Sequence, residues 1–79
     1  MEILQFSTPD CTWCKVVTPH IEAYANEHGV KLFHVDAIKD KKLADAYGIQ
    51  TAPVMIFEEG GNVLAKAVGY AEIMKLLNE

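Results

Sequence analysis

Seventy-nine residues, 51% hydrophobic and 23% charged, have the composition of a small globular chain. A chain of this size buries only about 60% of its unfolded surface, so one modest core and one domain over residues 1–79 are expected. A net charge of −4 with no large basic cluster argues against a nucleic-acid footprint, and no stretch is long and apolar enough to span a bilayer.

Glu2 to Phe6 reads as a short buried strand, followed by the turn-forming and capping residues Ser7-Thr8-Pro9-Asp10. A helix is expected from Cys11, because Cys14, Val17, Thr18, Ile21, Tyr24, Ala25 and His28 repeat at helical spacing. Pro19 lies inside that pattern and should kink it, and Gly29 should end it. Val30 to Val35 is a second strand by its β-branched and aromatic content. Asp36 or Asp40 can cap a short helix carrying Leu43, Ala44 and Tyr47, with Gly48 at its end. Lys39, Lys41 and Lys42, interrupted by Asp36, Asp40 and Asp45, read as its solvated face.

Ile49 to Pro53 is an extended approach to a third strand, Val54 to Glu58. Gly60-Gly61 marks a hairpin into a fourth strand, Asn62 to Val68, which Gly69 breaks. A last helix should place Tyr70, Ile73, Met74 and Leu77 on one face. The order is βαβαββα. It predicts an α/β fold with a four-stranded mixed sheet flanked by helices: the first βαβ unit gives a parallel pair and the tight turn an antiparallel one.

Only two cysteines occur, Cys11 and Cys14, and they open the first helix. Two intervening residues let both sulfurs meet across one helical turn. At a helix N-terminus, unpaired N–H groups and the helix dipole favour a thiolate, the reactive form of cysteine. Cys11 is therefore expected to be the nucleophile, ionising more readily than a free thiol, with Lys15 assisting and Asp10 opposing. Cys14 falls on the buried stripe and is expected to be the resolving thiol. Met1 leads almost directly into a strand without a basic segment and apolar signal, so a cytoplasmic location is expected. There a cysteine pair is catalytic or metal-binding more often than a structural staple. The metal alternative needs further ligands. His20, His28 and His34 could in principle supply them, but no second Cys-x-x-Cys follows.

The chain resembles the thioredoxin-like family over nearly its whole length. The resemblance is carried by Cys-x-x-Cys-Lys with Pro19 five residues after the second cysteine, then Val35-Asp36, Leu43-Ala44 and Tyr47-Gly48-Ile49. It continues through Thr51-Ala52-Pro53 before an apolar strand ending in Phe57, and through Gly60-Gly61 and Gly69. It implies a minimal thioredoxin-like fold and a protein-disulfide reductase cycling a Cys11–Cys14 dithiol–disulfide pair without a further cofactor. It also implies that Pro53 is a cis proline opposite the cysteines, and that Ala52 presents its backbone to an extended substrate as an added strand would. Trp13, Ala52, Pro53 and Gly69 are then the substrate-binding residues. Disulfide-containing proteins would be the substrates of a monomer, and a flavin-dependent reductase or glutathione the electron source.

The chain departs from the family pattern in several places. It lacks the usual extra strand and helix before the first strand, as glutaredoxins and short redoxins do. Thr12-Trp13 replaces Gly-Pro between the cysteines, Asp10 replaces the preceding tryptophan, and Gln5 replaces the buried acid. Gln5 cannot accept a proton from Cys14, which must then lose it to solvent, the leaving thiol or another group. A glutathione-dependent glutaredoxin, or a redoxin serving ribonucleotide reductase, is the rival enzyme. However, Thr51-Ala52-Pro53 matches the glutathione site only loosely, and Gly69-Tyr70-Ala71-Glu72 lacks its second glycine and aspartate. The non-enzyme alternative is a metal-holding or binding module on the same fold. Trp13 is expected to be exposed, either contacting substrate or packing over the helix start. Tyr70 is expected in the core at the start of the last helix, with lining the substrate groove as the alternative, and Met55 and Met74 fit core positions. His20 is expected to be solvated, His28 to sit near the helix C-terminus where its charged form is favoured, and His34 to be a plain strand residue.

Overall fold

The computed structural model describes residues 1–78. Its elements are β1 (Glu2–Ser7), α1 (Thr12–His28), β2 (Lys31–Asp36), α2 (Lys41–Ala46), β3 (Val54–Glu59), β4 (Asn62–Val68) and α3 (Gly69–Leu77). They form one four-stranded sheet in the order β2-β1-β3-β4. β1 runs parallel to β2, while the β1–β3 and β3–β4 pairs are antiparallel. The expected order of elements and the mixed sheet are both present. The boundaries differ by a residue or two: β1 and β3 each gain a residue at the end, and β2 begins and ends one residue later.

Strand side chains alternate between the two faces of a sheet, and here each face has its own core. On one face Ile3, Met55, Phe57 and Ala67 pack with Val17, Ile21 and Ala25 of α1 and Ile73 of α3. On the other, Phe6, Val35, Val54 and Ile56 pack with Ala44 of α2 and with Ile49. α1 and α3 also pack on each other. The two central strands, β1 and β3, thus carry apolar side chains on both faces. That explains their near-continuous apolar reading in the sequence.

Local chemistry sets the ends of the elements. Gly29 takes φ 64°, a left-handed conformation that costs glycine little, and there ends α1. The N–H groups of Gly29 and Val30 donate back to the carbonyls of Asn26 (3.4 Å) and Ala25 (2.9 Å), pairing acceptors the helix end would leave open. Gly60 and Gly61 both have positive φ and lie between the paired residues Glu59 and Asn62, which fits a two-residue hairpin. Leu64 is then left without a register partner, because Glu58 faces Val63 while Phe57 faces Ala65.

The two candidate caps of α2 divide their work. Asp40 occupies the N-cap position, but its side chain makes no capping bond. The Asp36 carboxylate accepts from the N–H groups of Ile38 (2.9 Å) and Lys39 (3.1 Å) and so shapes the turn that precedes the helix. Those two backbone donors hold its carboxyl below the usual aspartate range. Pro19 lies within α1 on an exposed position, and the helix continues through it from Thr12 to His28.

Two core expectations are corrected. Tyr70 is exposed rather than buried, and Met74 is only half-buried. The apolar face of α3 is centred on Ile73, which is fully buried. In the first turn of the helix Tyr70 meets the ring of Trp13 rather than the core.

Candidate functional site

Strand register brings distant segments to one edge of the sheet. β1 and β2 are parallel with Ser7 opposite Asp36, so the loops at Thr8 and Ala37 leave the sheet side by side. The Ala37 N–H donates to the Ser7 carbonyl at 2.8 Å. β3 runs the other way with Val54 near Phe6, so the chain at Ala52-Pro53 enters at that same edge. β4 ends there opposite Val54, which delivers Gly69 and Tyr70. The end of a parallel strand pair is a common place for a ligand crevice.

At this edge Cys11 and Cys14 are joined as a disulfide, with Cα atoms 5.2 Å apart. Cys11 is the N-cap of α1, with extended backbone angles (φ −91°, ψ 106°). Its Sγ accepts from the Cys14 N–H at 3.1 Å, the position a serine or aspartate oxygen takes in an ordinary cap. The first turn of α1 carries no acidic residue, and Asp10, directly before the cap, is exposed. Cys11 is half-buried and Cys14 is 3% exposed, on the stripe with Val17 and Ile21. The unequal placement expected from the helical register is present.

Behind Cys14 runs a short polar chain. The Thr18 hydroxyl donates to the Cys14 carbonyl at 2.7 Å, and the Gln5 Nε2 donates to the Thr18 hydroxyl at 2.7 Å. Gln5 is 1% exposed.

The Ala52–Pro53 peptide bond is cis, and Pro53 is buried. The Gly69 N–H donates to the Pro53 carbonyl at 2.9 Å, tying the start of α3 to this segment. Ala52 and Cys11 line one groove of about 570 Å³ together with Thr8, Ile38, Lys41 and Thr51. On Trp13's side of the motif, its ring lies 5.0 Å from that of Tyr70, and Trp13 remains 56% exposed. Trp13 thus packs on a neighbouring ring and keeps a free face.

Cys11, Cys14, Trp13, Ala52, Pro53 and Gly69 therefore all stand at one edge. The groove wall from Ala37, Ile38 and Lys41 was not anticipated. Its one signal in the sequence was the parallel β1–β2 pair, which obliges the two loops to emerge together. His20, His28 and His34 are exposed, and among the described residues no group of three or more His, Cys, Asp and Glu is placed to hold a metal ion. No described helix is long and apolar enough to cross a membrane.

The family model for Thioredoxin matches residues 1–79. The chain is 34% identical over 68 residues to thioredoxin C-2 of Corynebacterium nephridii, a match covering 84% of this chain and 63% of that one. It is 27% identical over 70 residues to the thioredoxin of Bacillus subtilis, covering 86% of this chain and 67% of the relative. The match thus spans just under two thirds of the first relative's length. Thioredoxin 1 of Thermosipho africanus superposes with a TM-score of 0.90 at 20% identity, over 99% of this chain and 88% of that one, a likeness of fold.

Proposed function

The chain belongs to the thioredoxin family, and on that premise we propose that it is a protein-disulfide reductase working through Cys11 and Cys14. The observation that carries the reading is the N-cap position of Cys11, whose sulfur accepts a backbone N–H at the positive end of a 17-residue helix. A charge at such a terminus is stabilised by about 0.3–1 kcal/mol when exposed and up to ~2 kcal/mol when partly buried.

In the reduced chain the Cys11 thiolate attacks one sulfur of a substrate disulfide. A mixed disulfide forms, and the first substrate sulfur leaves as a thiolate. Cys14 then loses its proton, to the leaving sulfur or to solvent, and attacks Cys11 Sγ. The Cys11–Cys14 disulfide forms, the mixed disulfide breaks, and the second substrate thiolate departs. The substrate gains two electrons, which the cysteine pair supplies. An external reductant returns the pair to the dithiol.

Supporting groups stand around the pair. Ala52 lines the groove beside Cys11 and offers backbone groups to an extended peptide. Trp13 supplies an apolar surface, while Pro53 and Gly69 hold the segment that faces the substrate. Residues 1–79 act as one domain and as a monomer in the cytoplasm. A flavin-dependent reductase recycles the disulfide.

The test is insulin-type disulfide reduction with a chemical reductant. The intact chain is expected to accelerate it, and Cys11→Ser to fall to the uncatalysed rate. Cys14→Ser is expected to accumulate a mixed disulfide through Cys11, visible by mass. Full activity in Cys11→Ser would defeat the mechanism. Faster recycling by glutathione than by a flavin-dependent reductase would transfer the chain to the glutaredoxin reading.

A further inference from the structure

The Gln5 amide is oriented by its neighbours. The Thr18 hydroxyl has one proton, donated to the Cys14 carbonyl, so it can only accept from Gln5. The group facing it must be the amide NH₂. Gln5 Oε1 then points elsewhere, buried, with no hydrogen-bond partner among the described residues. A buried acceptor left unpaired is unfavourable, and one in a well-packed interior calls for a reason.

Its position suggests one. β1 and α1 run in opposite directions through the first core. Ile3 packs in the cluster with Val17 and Ile21, so Gln5, two residues further along β1, lies nearer the start of the helix, at the turn from Cys14 to Thr18. A two-residue step along a strand, about 6.7 Å, covers a little more than one helical turn of about 5.4 Å. Other contributors to that region are apolar, such as Val17 and Met55. His34, beside Gln5 in the sheet, is exposed and lies 3.6 Å from Glu22 instead. Cys14 is the one group there whose hydrogen-bond donor comes and goes: it has an S–H as a thiol and none in the disulfide.

We propose that Gln5 is a positioning residue for the resolving thiol: its buried Oε1 accepts the S–H of Cys14 in the dithiol state and loses that partner when the disulfide forms. The assignment rests on the thiol–disulfide reading above. Gln5 takes no proton; during resolution the Cys14 proton goes to solvent or to the departing sulfur. Gln5 acts on the balance between the two states. It stabilises the dithiol, leaves the disulfide with an orphaned acceptor, and so makes the pair more oxidising than it would otherwise be. Thr18 holds the amide in the orientation that this requires.

The test is the equilibrium of the Cys11–Cys14 pair against glutathione buffers. Gln5→Met, similar in length but apolar, is expected to shift that equilibrium about tenfold toward the disulfide, the scale of one hydrogen bond. Tenfold corresponds to a potential about 30 mV more negative for a two-electron couple. Thr18→Val is expected to shift it the same way and by less, and Thr18→Ser, which keeps the hydroxyl, to restore the parent value. A purely structural role for Gln5 would weaken both redox forms alike and leave the potential unmoved. An unmoved potential, or a shift toward the dithiol, would overturn the assignment.

Should Gln5→Met fail to fold, the two Thr18 variants and the S–H infrared band decide. In Cys11→Ser the Cys14 S–H band is expected at a hydrogen-bonded frequency, and a free-thiol frequency there overturns the proposal. The glutathione equilibrium needs only the cysteine pair. A chain that shows the Gln5-dependent shift yet leaves insulin intact keeps this assignment and loses the proposed function. An unshifted potential in a chain that reduces insulin does the reverse.

Discussion

At the scale of single residues, Cys11 and Trp13 stand in different surroundings within one motif. The sulfur of Cys11 is held by the helix start, while the ring of Trp13 rests on Tyr70 with more than half its surface free. Exposed aromatic anchors contribute disproportionately to protein contacts. Trp13→Ala is therefore expected to raise KM for a protein disulfide several-fold and to leave the rate with a small disulfide nearly unchanged. Steady-state kinetics with both substrates checks this, and an equal loss on the small disulfide would place Trp13 in the chemistry instead. The unequal placement of the two cysteines was legible in the sequence because it depends on local helical register. The exposure of Tyr70 was not legible, because helical spacing gives its side of α3 but not that its neighbour there is the exposed ring of Trp13.

Among the elements, the turn into α2 shows how one carboxylate shapes a loop that lines the groove. Asp36 accepts two backbone N–H groups, and these lower its pKa in the folded chain. A depressed folded-state pKa means that the ionised form stabilises the fold above the ordinary aspartate range. That contribution fades as pH falls through the depressed value. Asp36→Ala is thus expected to lower Tm at neutral pH and to flatten the acid side of the stability profile, as thermal melts across pH would show. An equal Tm difference at neutral and strongly acidic pH would refute the role. The existence of α2 was legible from Leu43, Ala44 and Tyr47. The groove was not, because Thr8, Ile38, Lys41 and Ala52 come from separate segments that only the strand pairing assembles.

For the molecule as a whole, the central fact is a sheet with a small core on each face. Stability at roughly 0.05–0.15 kcal/mol per residue amounts to about 4–12 kcal/mol for this chain. Ile21 is fully buried on the face shared by α1 and α3. Ile21→Ala is expected to cost about 2–5 kcal/mol, a large share of that total. Denaturant titration followed by circular dichroism measures the loss, and a change below ~1 kcal/mol would mean that the site collapses freely around the smaller side chain. The fold was legible at this scale because short apolar or β-branched runs, bounded by turn-forming residues, alternate with segments of helical spacing. The division into two cores was less so, since β1 and β3 are apolar on both sides and their runs do not reveal which residue faces which helix.

Trp13 is the only tryptophan in the chain, and in sequence it immediately precedes one of the two bonded cysteines, Cys14. A neighbouring disulfide quenches excited indole by accepting an electron, and a dithiol does so far less. The protein therefore carries its own optical gauge: emission excited at the indole band should brighten when the pair is reduced and dim when it is reoxidised. The oxidation state could then be followed in real time, without a label and with the substrate present.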